Sequence, residues 1–331
     1  MTESSTRDIR TDSETNIIQV ISVASSPHLK NLSLSSRKMM IDVMIALLPV
    51  MGMAIYMFKW LVVKQLIIAV GSTLSAEAVF TKMRRKSFSL PDGSAGVTGL
   101  ILGLSIPVIA PWYVGVIGSV VAIGIGKVIF GGLGMNIFNP AMVGRAFVMI
   151  AFTGVMAAAG YENKHIAVDA ISMATPLDAF KQSGFVTPLR DLFFGFTNGS
   201  PGEISALACV SGGVYLCLRR TAAWEIPLGV ILSASVMGLF SDMIHPDVPF
   251  TFLHHLAGGS LLFGAFFIAT DPVTSPISKK GRFLFGMGIG FILMMLRFFS
   301  GYPEGVMFAV LFMNAVTPLI NRWTIPKTLG T

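Results

Sequence analysis

The chain has 331 residues, of which 53% are apolar and 12% charged, with a mean hydropathy of +0.73. Soluble domains carry about 25% charged residues, so too little polar surface remains to face water on every side; helices facing lipid are the physical alternative. The net charge of +7 does not point to nucleic acid, because the basic residues lie between apolar runs, the pattern of membrane orientation signals.

Residues 1–38 are a polar tail without the apolar core and small-residue cleavage site of a signal peptide. A cytoplasmic, partly disordered tail is expected there. Apolar segments follow at roughly 40–58, 61–80, 96–110, 112–130, 141–159, 204–221, 225–244, 252–270, 283–299 and 305–321. Most approach the ~20 residues a helix needs to cross about 30 Å of hydrocarbon. The expected fold class is an all-α integral membrane protein with about ten transmembrane helices.

The third segment is broken: Asp92-Gly93-Ser94-Ala95-Gly96 opens it, and Pro107 and Pro111 end it. The eighth behaves alike, with Gly258-Gly259 near its start and Asp271-Pro272 at its end. Their sequences are similar, Ser94–Leu100 to Leu256–Leu262, and the later runs Phe138–Ala141 and Met313–Pro318 are similar too. This predicts two inverted five-helix repeats, 39–159 and 204–322, joined by a loop at 160–203 and followed by a cytoplasmic tail at 323–331. Basic clusters at Lys30/Arg37/Lys38, Lys82–Lys86, Arg219/Arg220, Lys279–Arg282 and Arg322/Lys327 all fall on one side if ten segments are present. Both termini are then cytoplasmic and the 160–203 loop lies on the outer face.

That loop is the main polar stretch between apolar segments, with Glu162, Lys164, Asp169, Asp178, Lys181, Arg190, Asp191 and Glu203. Loops of such length between tight helices are often functional. It contains Asp169-Ala170-Ile171-Ser172-Met173-Ala174-Thr175-Pro176-Leu177. Thr175 offers a hydroxyl before a proline that disfavours helix at Thr175 itself, an exposed acceptor for a modifying enzyme. The competing reading is a capping turn that starts a short helix at Pro176, and on local chemistry it is the stronger.

The stretch resembles the flavinylation motif D-x-x-[ST]-G-A-[ST], in which a flavin transferase joins FMN through its phosphate to the last hydroxyl. Asp169, Ser172, Ala174 and Thr175 match, and Met173 stands where glycine is usual. Over about residues 25–322 the chain also resembles the family shared by the D-type subunits of Rnf complexes and the B-type subunits of the sodium-pumping NADH:quinone oxidoreductase. The runs that carry this likeness are Ser25–His28, Met40–Val43, Ala46–Pro49, Asp92–Gly99, Gly134–Ala141 and Thr270–Pro276. The short polar N-terminal tail suits the Rnf branch.

The resemblance implies covalent FMN on Thr175, with Asp169, Ser172 and Ala174 guiding attachment. It also implies a non-covalent riboflavin near paired asparagines, which Asn136 and Asn139 match; an amide suits the polar edge of a flavin ring. A helix cap at Asn139-Pro140 is the equal alternative. The implied function is that of a membrane component, not catalytic alone, in a ferredoxin:NAD⁺ oxidoreductase of the bacterial inner membrane. Electron passage would drive Na⁺ or H⁺ translocation. The implied partners are the A, B, C, E and G components of the Rnf complex, the flavin transferase and membrane lipid. A quinone-reductase component is the nearest alternative; a small-solute channel or transporter, and a scaffold with a decayed flavin site, are the others.

Buried ionisable groups in membrane segments are costly and often functional. The candidates are Asp42, Lys64, Glu77, Lys127, Arg145, Asp242, Asp271 and Arg297; snorkelling near segment ends and structural pairing are the plainer readings. Arg145, which follows the asparagine pair, has either a flavin or an inward carboxylate as its expected partner, and structural pairing is the stronger reading. Cys209 and Cys217, at i, i+8 in one apolar run, read as packing residues. His28, His165, His245, His254 and His255 show no metal-site spacing, so no metal is expected. Gly131-Gly132-Leu133-Gly134 does not open a βα unit, which argues against a dinucleotide site.

Overall fold

The structure, a computed structural model, describes residues 35–85, 90–157, 175–300 and 304–325. Asp169, Ser172 and Ala174, and most of both tails, lie outside the described residues. The helices in chain order are α1 (Ser36–Phe58), α2 (Trp60–Met83), α3 (Ser94–Ser105), α4 (Trp112–Ile123), α5 (Pro140–Ala151), α6 (Thr153–Ala157) and α7 (Pro176–Ser183). They continue with α8 (Leu189–Phe194), α9 (Ala206–Leu218), α10 (Glu225–Ile244), α11 (Phe252–Ala257), α12 (Leu261–Phe263), α13 (Lys279–Phe299) and α14 (Val306–Thr324). No strand occurs among the described residues.

Five helices, α1, α2, α10, α13 and α14, are long and apolar enough to cross a membrane. This all-helical architecture is that of a multi-pass membrane protein. Helices α3 and α9 have 12 and 13 residues, about 18–20 Å of rise each, and so fall short of the full segments expected at 96–110 and 204–221, while α5 and α6 together cover most of the one expected at 141–159, broken at Phe152. Part of the expected 160–203 loop is helical, forming α7 and α8.

Small residues set the helix crossings, as expected where lipid gives apolar side chains no reason to prefer protein. Helix α1 packs on α9 at Gly212, where a Cβ would strike the carbonyl oxygen of Ala46. Helices α10 and α13 interlock through Gly229 and Gly290: added Cβ atoms would lie 2.6 Å from the Phe283 oxygen and 2.5 Å from the Val230 oxygen. Helix α5 meets both α4 and α14.

The two expected breaks are present, and each is serviced by a side chain of a neighbouring helix. After α3 the backbone turns extended at Ile106. Gln65 of α2 donates to the carbonyls of Gly103 (2.9 Å) and Ile106 (2.6 Å), satisfying groups that a helix end leaves open. The eighth segment is interrupted at Gly258-Gly259-Ser260, with Gly259 at φ +68°, a conformation that suits glycine. Arg297 of α13 donates to the carbonyls of His255 and of Gly258, the latter at 2.9 Å. Helices α4 and α12 each run on into a widened π-helical turn, Gly124–Val128 and Gly264–Ile268.

Candidate functional site

The start of α1, the start of α3, the end of α4, the start of α5 and the turn after α9 converge on one small pocket of about 80 Å³. Asn136 and Asn139 both line it, beside Ser94, Lys127 and Asp271. Asn139 caps α5: its Oδ1 accepts from the Met142 N–H at 3.3 Å, and Pro140 occupies the first helical position. Its Nδ2 donates to the Ile268 carbonyl at 3.3 Å, and its backbone N–H donates to Oδ1 of Asn314 at 3.1 Å. Asn139 is thus committed to the frame. Asn136 makes one local bond, from Nδ2 to the Phe138 carbonyl at 3.2 Å, which leaves its amide oxygen for a ligand. The lining is apolar with a few polar groups, and of the asparagine pair only Asn136 has an unspent polar atom.

Beside this pocket Lys127 Nζ lies 2.6 Å from Glu77 Oε1 and 2.6 Å from Ser94 Oγ. Ser94 donates to Asp92 Oδ1 from its hydroxyl (2.6 Å) and its backbone N–H (2.8 Å). The ion pair is almost wholly buried, with side-chain exposures of 3% and 2%. A cation desolvated to this degree is held by its partners, and removing one of them leaves an uncompensated charge.

Arg297, Glu304 and Thr175 mark a second region, and none of the three lines the first pocket. Thr175 is the N-cap of α7. Its Oγ1 accepts from the Asp178 N–H at 3.2 Å and donates to Asp178 Oδ2 at 2.9 Å. The capping reading is therefore correct. The expected exposure is not: Thr175 is 5% exposed. Its burial follows from Leu177, which seats α7 on the broken eighth segment, where a Cβ on Gly259 would lie 2.7 Å from Leu177 Cδ1. Burial raises the pKa of Asp178; the Thr175 hydroxyl opposes the shift, and Glu304 reinforces it. Next to α7 a pocket of about 240 Å³ is lined by Leu177, Phe180, Phe250, His255 and Phe298, among others. Phe180 and Phe250 stack there with ring centroids 4.3 Å apart. The hydroxyl at a helix N-terminus, where backbone N–H groups favour an anion, and an aromatic pocket alongside are compatible with a phosphate-linked flavin.

Arg145 pairs with a carboxylate as expected, and its partner is Glu304 at 3.0 Å. Most of the other ionisable candidates are tied to structure. Asp42 accepts from Thr221 (2.9 Å) and Arg219 (3.3 Å), Asp242 from the Phe252 N–H (2.9 Å), and Asp271 from the Val273 N–H (3.1 Å). Lys64 lines a separate pocket with Gln65 and Trp112. Glu304 is a functional candidate that sequence reasoning misses. The signal was available, because it is the sole acidic residue after Asp271, in a stretch that supplies Arg297. Glu203 falls in the expected polar loop, yet it is buried.

The chain matches the model of the NQR2, RnfD, RnfE family over residues 22–330. It is 39% identical over 314 residues to the D-type subunit of the Na(+)-translocating ferredoxin:NAD(+) oxidoreductase complex of Acetobacterium woodii, covering 94% of this chain and 95% of that protein. It is 37% identical over 324 residues to the D-type subunit of the ion-translocating oxidoreductase complex of Stutzerimonas stutzeri, covering 88% and 92%. The protein of that same description from an Escherichia coli strain is 36% identical over 348 residues, covering 94% and 99%.

Proposed function

The chain belongs to the NQR2, RnfD, RnfE family, and on that premise we propose that it is the D-type membrane subunit of an Rnf-type ferredoxin:NAD⁺ oxidoreductase, carrying FMN esterified to Thr175. The observation that carries this reading is the near full-length likeness to D-type subunits of such complexes. The motif ending in Thr175, with that hydroxyl at the head of α7, supports the attachment point. The other subunits of the complex are its partners, a flavin transferase matures it, and electron passage is coupled to Na⁺ or H⁺ movement across the inner membrane.

A flavin supplies one- and two-electron chemistry when bound. The chain's residues position it. Esterification removes the hydrogen that Thr175 gives to Asp178, and a protonated Asp178 relieves the resulting contact between anions. Because Thr175 is buried under a docked α7, attachment precedes that docking. Asn136 offers the ligand contact in the other pocket, where a non-covalent riboflavin would sit.

The membrane frame consists of two inverted halves of five segments, with α11 and α12 as one broken segment and both termini cytoplasmic. The pairing of α1 with α9 and of α5 with α14 supports this, as do the one-sided basic clusters.

The test is direct. The chain is co-expressed with a flavin transferase, purified, denatured and run on a gel. A fluorescent flavin band that disappears in Thr175→Ala is the expected result. A non-fluorescent chain from an active complex would refute the attachment.

A further inference from the structure

We infer that Glu203 and Glu304 form a proton-binding site, in which one hydrogen is shared between two carboxyl groups beside the break in the eighth segment. The inference does not depend on a flavin at Thr175.

Glu203 sits in the turn before α9, 7% exposed, and its Oε1 accepts from the Ser200 N–H at 2.6 Å. Glu304 lies just before α14, and its Oε2 accepts from Arg145 at 3.0 Å and from the Ser260 hydroxyl at 3.2 Å. The remaining oxygens, Oε2 of Glu203 and Oε1 of Glu304, are buried and have no donor among the described residues. Yet the two carboxyl groups are in hydrogen-bond contact with each other. Two ionised carboxylates have no hydrogen to share, and like charges so close do not both ionise readily. One proton resolves both orphan oxygens at once.

The surroundings say which group carries it. Glu304 is buried, which favours protonation, but its hydrogen bond from Glu203 and the charges of Arg145 and Arg297 outweigh that and hold it below the usual range. Glu203 has only a backbone donor. Burial pushes it well above the usual range, the Glu304 charge adds to the shift, and Arg145 opposes it. The other titratable groups facing the pair are Asp178 of α7, in reach of Glu304, and Cys209 of α9, in reach of Glu203. Lys181 of α7 and His255 of α11 lie in the field of the neighbouring Arg297. Arg297 donates from its two terminal nitrogens to the carbonyls of His255 and Gly258, its Nε has no acceptor among the described residues, and its charge reaches the carboxyls through space. With Glu203 neutral the four central groups sum to +1; with Glu203 ionised they sum to zero. Neither state is prohibitively charged, so the proton is exchangeable. The pair titrates as a unit.

The test is infrared difference spectroscopy on the intact purified complex, in H₂O and D₂O, with sodium or choline as the cation. The expected result is a protonated-carboxyl band that shifts in D₂O, persists in both salts and is lost in Glu203→Gln. That variant assembles normally, because an amide at 203 supplies the hydrogen that a protonated acid does. A spectrum unchanged by Glu203→Gln would overturn the proposal. A band seen only without sodium would overturn it too, since the oxygens would then hold a cation. Failure of Glu203→Gln to assemble would likewise count against it.

Discussion

The backbone N–H of Asn139 donates to the side-chain oxygen of Asn314 at 3.1 Å, across 175 residues of sequence. These asparagines lie in the two runs whose similarity suggested a duplicated half, and the contact brings those runs together. Asn314 extends the link by donating to the Thr274 carbonyl at 3.3 Å. The start of α5, the middle of α14 and the turn before α13 are thereby fastened at one point.

The two pocket asparagines therefore respond differently to truncation. Asn139→Ala removes a cap and a buried bond to Ile268, at a cost of about 1 kcal/mol for the cap alone and a further 1–3 kcal/mol for the stranded carbonyl. Asn136→Ala leaves the melting temperature near that of the parent and lowers only the non-covalent flavin released on denaturation. Thermal unfolding in detergent and flavin extraction on both variants read the two effects separately.

Removing one partner of the Glu77–Lys127 pair strands a buried charge, and Lys127→Met is expected to cost about 3–5 kcal/mol. Adding Glu77→Gln to that variant recovers most of the loss, because the carboxylate that needed a cation is gone. A thermal-shift double-mutant cycle measures the coupling; additive single effects would contradict the pairing.

Thr175 has two separable roles, cap and attachment point. Thr175→Ser keeps both the cap and in-gel flavin fluorescence. Thr175→Asn keeps an N-cap side chain and loses the fluorescence, while Thr175→Ala loses both, with a cap cost of about 1 kcal/mol. Fluorescence and melting temperature across the three variants separate the roles.

Burial raises Asp178 above its usual value of 3.8, so the folded state binds this proton more tightly than the unfolded chain does. The associated stability is full at low pH and is lost as pH rises from 3.8 through the folded pKa. Hydrogen exchange of the α7 amides, corrected for intrinsic rates, should show opening increase through that window. Asp178→Asn should flatten the dependence.

Gly212→Val should separate α1 from α9, since even a Cβ at that position collides with the Ala46 carbonyl oxygen. Overpacking of this kind costs about 1–3 kcal/mol or more. Loss of a disulfide between cysteines placed on the two helices would report the separation.

The helices were legible because uninterrupted apolar runs and their breaks are local signals: Gly93 and Gly258-Gly259 mark turns whatever surrounds them. The Asn139 cap was legible for the same reason, because Asn-Pro is a local pair. The partner of a buried charge is not local. Nothing near Arg145 indicates Glu304, 159 residues away; that pairing depends on which helices cross. The burial of Thr175 was hidden likewise, because it depends on Leu177 meeting Gly259 of a distant segment. The shortness of α9 was hidden because its apolar composition extends past the residues that are helical, and the break between α5 and α6 at Phe152 carries no glycine or proline to mark it.

Gln65 and Arg297 each grip the open end of a half-helix from a full-length neighbour. Sliding α3 along α2, or α11 along α13, would strand carbonyl oxygens in a medium with no water to receive them, at a cost of several kcal/mol for each group. Each half-helix is thus pinned to its own mast. Any rearrangement that opens a route for ions has to swing α2 with α3, and α11 with α13, as solid levers, and the slack for that motion lies in the joints between them.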